Sequence, residues 1–399
     1  MTSVNFGGPR APTHDVVILG GGPVGLATAI YSRLHGLSCA VFDRRSLPLD
    51  KACGEGLLPR GVDHLENMGV TISGLRCAPL LGIRWVAGDV AADGFFSRRS
   101  GLGIRRLELV DALVERARVV GAELHYGQPV GPWRASGDRV LGVAGDHGFV
   151  ARFLIGADGL HSAVRRDLGL ELPAKGARRF GVRQHFRIPP WSPFLEVHLS
   201  DFCEAAVAPV AEDEIGVTRL GPGDGRPFLE LMSSSFPTIA ARLRGAEALD
   251  KPRGAGPFPR RVKRRYTGCV ALVGDAAGYV DPITGEGLSL GFASALALVQ
   301  TISAGRPLSE YERAYRRLSG GYDQITRAVL AITRRPWLRN RTVRMLSDNP
   351  DLLAGLLAVN DGDSWMAALG ASGVARLTRG MLWSVPRIAG QGRSSLPEA

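Results

Sequence analysis

The sequence predicts an α/β fold: a doubly wound, Rossmann-like domain, interrupted by an inserted antiparallel β-sheet and followed by a helical C-terminal region. Three observations carry this prediction. Short β-rich apolar runs of the fully buried parallel type occur at residues 15–19 (D-V-V-I-L), at 39–42, and again far downstream at 270–273. Between them, from 180 to 220, the residues alternate as they do in antiparallel strands. Beyond Pro307 the pattern is helical throughout, including a basic stretch at 311–345.

Taken in order, the strand at 15–19 runs into a glycine-rich turn, and 23–35 follows as a helix with Gly36 as its stop. The strand at 39–42 ends in Asp43 and completes a β-α-β unit of about thirty residues. Residues 106–120 carry Leu107, Leu109, Val110, Leu113 and Ala117 at near-helical spacing, and a strand resumes at 123–126. The runs 140–143 and 150–155 form a hairpin about the turn 145–148. Four strands are expected in the inserted sheet, at 181–188, 195–199, 205–210 and 214–220. The uncharged run 287–305 approaches the length of a membrane span. Ser289, Gly291, Ser294, Gln300 and Thr301 interrupt it, so it reads as a buried helix.

Composition narrows the function. The chain has 399 residues, enough for about two domains, and its 45% apolar and 22% charged content is that of an ordinary globular enzyme. The net charge of +11 is carried almost wholly by scattered arginines, with lysine only at 51, 175, 251 and 263. No basic block interleaved with aromatics accompanies it, so nucleic acid is not an expected partner. Five cysteines (Cys39, Cys53, Cys77, Cys203, Cys269) lie far apart with no C-x-x-C pair, which argues against a metal site or a disulfide framework. A reducing cytoplasm is the expected compartment, and residues 1–10 lack the apolar stretch of a signal peptide.

The chemistry is carried by motifs. Gly20, Gly22 and Gly25 form G-x-G-x-x-G between strand and helix. The first glycine allows the tight turn, the second lets a pyrophosphate approach the backbone, and the third allows close helix packing. The helix beginning at Pro23 supplies N–H donors and the positive end of its dipole. Asp43, eighteen residues past Gly25, sits where a carboxylate accepts the ribose hydroxyls of an adenosine, with Arg44 beside it. Two further segments are rich in glycine and aspartate: 156–162 (G-A-D-G-L-H-S) and 274–287 (G-D-A-A-G-Y-V-D-P-I-T-G-E-G).

In this order and spacing the three segments resemble the flavoprotein superfamily that contains class A aromatic monooxygenases, geranylgeranyl reductases and flavin-dependent halogenases. The resemblance covers about residues 14–310 and implies FAD as the cofactor. It implies that Gly274 and Asp275 form the pair that holds the ribityl chain. It also implies that the 281–287 loop, with Pro282, Gly285 and Gly287, runs along the isoalloxazine. N–H groups at the helix start there would stabilise negative charge on reduced flavin. Asp158 and Gly159 match the D-G pair, and Arg106, in R-x-x-L-x-x-x-L, matches an arginine that reaches the phosphates or the flavin edge. The alternative for Arg106 is a solvated helix start. A single G-x-G-x-x-G argues against a flavin disulfide reductase, so NAD(P)H is expected as a transient reductant without a fold of its own.

Residues 51–56 (K-A-C-G-E-G) closely resemble a geranylgeranyl-reductase segment placed beside the flavin, which implies Cys53 near its reactive face, with Gly56 allowing close approach; the alternative for Cys53 is a small buried filler. Lys51 and Glu55 read either as acid/base groups or as ion-pair partners within the loop. The aromatic Y-x-W-x-F-P and W-x-W-x-I-P signatures of the reductases and halogenases are missing, and 204–209 reads E-A-A-V-A-P instead. On the inserted sheet, Arg183 and His185 share a face and are the polar catalytic candidates; His185 reads either as a base or oxygen-binding group for substrate or as a satisfied structural residue. The expected partition assigns 1–74, 102–170 and 264–320 to the FAD domain, 75–101 and 171–263 to the substrate domain, and 321–399 to the C-terminal helices.

The expected activity is hydroxylation of a lipophilic, aromatic or polyketide-like small molecule with oxygen and NAD(P)H. One alternative is reduction of an alkene by a geranylgeranyl-reductase-like flavoenzyme. A weaker one is a basic flavoprotein whose arginine-rich C-terminal helices make a peripheral membrane contact.

Overall fold

The computed structural model describes residues 13–382 except 146, 175, 177, 202, 224 and 361–364. The N-terminal stretch read for a signal peptide, Lys175 and one residue of the 145–148 turn therefore lie outside the described residues.

Strand His14–Leu19 lies at the centre of the first sheet, parallel to Cys39–Asp43 on one side and His147–Gly156 on the other. Glu123–Tyr126 and Val270–Leu272 extend the parallel array outward. Val16, Val17 and Ile18 are fully buried, as a strand covered on both faces requires. Helix Pro23–Leu34 starts on a proline that cannot donate a helical N–H, and it packs against helix Gly287–Ser303. The crossing is close: a Cβ on Gly291 would stand 2.5 Å from Val24. The uncharged run is therefore a helix of the core, and among the described residues no helix is long and apolar enough to cross a membrane. The hairpin Arg139–Ala144/His147–Gly156 carries a third strand, Val130–Ser136, that the sequence pattern does not reveal.

The inserted sheet contains all four expected strands, Arg179–Arg187, Phe194–Leu199, Glu204–Ala211 and Glu214–Gly221, each slightly longer than the pattern implies. Its antiparallel character has one exception. Phe194–Leu199 pairs in parallel with Gly82–Ala87, because the chain contributes that strand and Val90–Phe95 on an earlier excursion from the first sheet. A small third sheet, of Gly56–Leu57, Gly101–Ile104 and Cys77–Leu80, sits between the two and has no counterpart in the sequence reading.

The C-terminal region begins with Leu308–Thr333, fastened to the first sheet where the buried Tyr311 hydroxyl donates to the Leu272 carbonyl at 2.6 Å. Helices Pro336–Asp348 and Pro350–Asn360 turn Val343, Leu346, Leu352 and Leu353 inward against Ile83, Ala92 and Val210. Much of the apolar surface of these helices thus closes the edge of the inserted sheet.

Candidate cofactor and substrate cavity

A cavity of about 710 Å³ runs from the glycine turn of the first sheet to the inner face of the inserted sheet. At its nucleotide end the three glycines have three distinct geometries. Gly20 has φ +116°, and a Cβ there would meet the Ala157 carbonyl at 2.4 Å. Gly22 opens on free space, with nothing within 4 Å of a built Cβ. Gly25 does not line the cavity; its Cβ would stand 1.8 Å from the Gly20 carbonyl oxygen, so its role is helix packing. Asp43 is buried, accepting from the Gly21 N–H and the Arg45 N–H at 2.9 Å each. Its carboxylate therefore shapes the turn and still lines the cavity, with Arg44, through its remaining lone pairs.

The other two motifs close around the same space. Asp158 accepts from Ala163 and Val164 N–H groups at 2.7 and 3.2 Å through one oxygen, while the other is buried without a protein partner. Gly159 holds a left-handed turn at φ +78° beside the Lys51 ammonium. Asp275, after Gly274, faces Lys51 Nζ at 3.4 Å. Asp281 accepts from the Ile283 N–H, the chain turns at Gly285 with φ +72°, and the long helix begins at Gly287. Pro282, Gly285 and Gly287 all line the cavity.

These residues fit a dinucleotide. The helix starts at Gly22–Pro23 and at Glu286–Gly287 lack side-chain caps, so their N–H groups are open to an anionic ligand. A buried Asp158 oxygen awaits a donor, and the Nε of Arg106 awaits an acceptor. The space above Gly22 is what a side chain would fill. Gly20, Gly22, Asp158, Asp275 and the 281–287 loop would hold the phosphates, ribityl chain and flavin edge.

The segment from Lys51 to Gly56 forms the wall between the two sheets. Cys53 is half-buried, and its Sγ accepts from the Glu55 N–H at 3.4 Å. Glu55 is the one described non-glycine residue with positive φ, at +57°, and is buried. Its Oε1 accepts from the Arg106 N–H at 3.0 Å. Burial works against the charge on Arg106, yet Cys53, Asp275 and Glu55 outweigh it and raise its pKa. Arg106 is thus part of the cavity wall, not a solvated helix start.

Arg183 and His185 lie elsewhere. They share the inner face of the sheet, as their spacing predicts, but the 51–56 segment covers them and neither lines the cavity. Both are fully buried in an ion-pair cluster with Asp50, Glu55 and Asp250. The expectation that this pair faces a substrate is corrected accordingly. The inserted sheet instead lines the cavity with Leu195, Val197, Glu204, Ala206, Thr218 and Leu220. A second buried cluster has no sequence signal. Arg179 bridges Glu204 at 2.6 Å and Asp281 at 3.0 Å, tying the inserted sheet to the 281–287 loop. Burial raises the Asp281 carboxyl to a pKa of about 6 despite Arg179. Among the described residues no group of three His, Cys, Asp or Glu is arranged to hold a metal.

Fold and cavity together define a flavoprotein with a Rossmann-type nucleotide sheet and a second sheet that completes the cavity. The family model described as "FAD binding domain" matches residues 13–214, half of the chain, and the chain belongs to that family. A 12-dehydrotetracycline 5-monooxygenase/anhydrotetracycline 6-monooxygenase of Streptomyces rimosus is 28% identical, over 87% of this chain and 76% of its own length. A menaquinone reductase of Mycolicibacterium smegmatis is 27% identical, over 88% and 94% respectively. The chain spans only 64% and 65% of the length of two other curated relatives. A flavoprotein/dehydrogenase of Cytophaga hutchinsonii has the same fold, with a TM-score of 0.80 at 20% identity over 92% of this chain and 98% of that one.

Proposed function

We propose that the protein is an FAD-dependent oxidoreductase that hydroxylates a largely apolar, aromatic or polyketide-like small molecule with NAD(P)H and oxygen. The observation that carries this reading is one continuous cavity, with cofactor loops on one wall and, on the other, mainly small or aliphatic side chains with Glu204 and Thr218. Bound FAD supplies the exchange of electrons with NAD(P)H and the activation of oxygen. Around it, the chain's residues position and exclude. Helix N–H groups at Gly287 favour negative charge at the flavin edge, Arg106 adds a fixed positive charge, and Leu195, Val197 and Leu220 keep water from the reacting face. Ala206 leaves room for a fused ring system. Likeness to the tetracycline monooxygenase supports the same substrate class.

A second reading, alkene reduction on a lipophilic substrate, is favoured by Cys53 on the cavity wall and by the match along 94% of a menaquinone reductase. Labelled oxygen separates the two. Fused-ring polyketides and prenylated quinones, offered with NADH or NADPH under isotopically labelled oxygen, should yield a product carrying one labelled atom. A saturated, unlabelled product formed without air would overturn hydroxylation and leave the fold and FAD site untouched.

A further inference from the structure

Both proposed reactions draw on solvent for one proton. Hydroxylation converts NAD(P)H, oxygen, a C–H bond and one proton into NAD(P)+, a C–OH group and water. Alkene reduction converts NAD(P)H, a C=C bond and one proton into NAD(P)+ and a saturated product. A cavity that excludes water needs a route for that proton.

We infer that Glu55, His185 and Asp250 form a proton relay between the cavity and solvent, an inference that rests on the oxidoreductase reading for its purpose. Glu55 lines the cavity between Cys53 and Gly56, yet its side chain is only 1% exposed. Its Oε2 contacts His185 Nε2. The opposite ring nitrogen, Nδ1, lies 2.8 Å from Asp250 Oδ2. Asp250 is the outer end of the series, with a side chain 16% exposed. Burial opposes its charge, but hydrogen bonds from the His185 backbone and ring, with Arg183, hold its pKa below the usual carboxylate value.

The geometry provides partners for the ring in two protonation states. With the series unloaded, Nε2–H donates to a Glu55 carboxylate, and Nδ1 accepts from Arg183 at 2.8 Å or Arg105 at 3.0 Å. Loaded with one more proton, the ring keeps its Nε2–H toward Glu55, and the added proton sits on Nδ1, which then donates to Asp250. Neither state strands a buried donor or acceptor of the ring, the condition a relay must meet. The surrounding charges are fixed. Arg183 is held by Asp50 and Asp250, Arg105 faces Glu214 at 3.2 Å, and Arg253 faces Asp50 at 2.7 Å.

Two features adapt the backbone to this contact. Glu55 is held at a left-handed φ of +57°, a conformation that non-glycine residues adopt at a cost. Opposite it, Gly216 leaves the necessary room: a Cβ there would stand 2.9 Å from Glu55 Oε2. A cluster that merely pinned the loop would need neither the bridging imidazole nor its path from cavity to surface.

The test uses FAD-loaded enzyme reduced by light and EDTA without air, then mixed with oxygen in weak buffer containing a pH indicator. Reduced flavin anion, oxygen and one proton give oxidised flavin and hydrogen peroxide. This reaction requires neither substrate nor NAD(P)H, so an error in the substrate class leaves the test standing. In the wild type, proton uptake should keep pace with reoxidation. In His185→Gln it should lag by about tenfold or more, with a larger solvent deuterium effect. Asp250→Asn should give a smaller lag of the same kind, and it covers the case in which His185→Gln does not fold. Proton uptake at the wild-type rate, with an unchanged deuterium effect, in either folded and FAD-loaded variant overturns the relay.

Discussion

The two ends of the cavity are built from different materials. The nucleotide end is a cradle of backbone: Gly20, Gly22 and Gly159 keep side chains out of it, and two uncapped helix starts aim N–H groups into it. The loop end, at residues 51–56, is backed by charged side chains: Glu55 lines the cavity, and Arg183, His185, Asp50 and Asp250 are packed beneath the segment, outside the cavity. A cradle defined by missing atoms fails when atoms are added, whereas a network of paired charges fails when one is removed. The predictions below set these two modes of failure against each other.

The largest effect is expected directly behind the cradle, where the first helix packs on the glycine turn. Gly25→Ala places a methyl group 1.8 Å from the Gly20 carbonyl oxygen, a backbone atom that cannot swing aside. It should cost about 3 kcal/mol or more and appear as lost soluble yield or a much lower melting temperature. Gly22→Val, three residues away, meets open space. Its cofactor-free form should keep its stability within about 0.5 kcal/mol while FAD no longer binds. A purified Gly22→Val protein that is fully yellow would put the nucleotide elsewhere.

The second effect concerns the bridge between the two ends. The folded pKa of Asp281, about 6, lies above its ordinary value of 3.8, because burial outweighs the pull of Arg179. A carboxyl raised in this way favours the folded state fully below 3.8, and that contribution is lost as pH rises through about 6. Asp281→Asn removes the titration. Its stability relative to wild type should therefore climb between those two pH values by up to about 3 kcal/mol and then level off. Urea unfolding at a series of pH values reads this directly, and a difference that stays flat across the window refutes the assignment.

A smaller loss is expected from Asp275→Ala. If Asp275 bonds the ribityl chain, FAD affinity should fall by about 1.5–3 kcal/mol, the range for charge-assisted bonds. Equilibrium titration of the cofactor-free protein with FAD checks this. Unchanged affinity would reduce Asp275 to a partner of Lys51, a half-exposed pair worth about 0–1 kcal/mol.

What could be read in advance follows the same division. The cradle is local: G-x-G-x-x-G, the D-G pair and the G-D to D-P-x-x-G-x-G stretch each need only neighbouring residues to define their geometry, so their sequence spells them out. The inserted strands are legible because alternation is local too. The charged clusters are not. Asp250 meets His185 across 65 residues and Arg179 meets Asp281 across 102, pairings that leave no periodic trace in either partner's surroundings. Alternation places Arg183 and His185 on one strand face, but nothing in that strand encodes the 51–56 segment that covers it. The short sheet strand Gly56–Leu57 is too brief to carry a pattern at all.

The smallest structural effect should come from Cys53→Ser, which makes it the sharpest test of chemistry. Cys53 belongs to both ends: its segment carries the charged cluster, yet its own side chain faces the cavity beside Arg106. Serine is nearly isosteric and can still accept the Glu55 N–H, so stability should change by less than about 1 kcal/mol and FAD retention should stay the same. Turnover then reports what the sulfur does. If the reaction is hydroxylation, the atom that reaches the substrate comes from oxygen, and the side chain only shapes the wall; the rate should fall by no more than about threefold, less than 1 kcal/mol. If the reaction is alkene reduction with the thiol as proton donor, the weaker acid should lower turnover by about a hundredfold, the scale of a lost general acid. Anaerobic reduction of FAD by NAD(P)H, which precedes either step, should be equal in the two proteins. A collapse of turnover in Cys53→Ser, with that reduction rate intact and no dependence on oxygen, would transfer the assignment to the reductase.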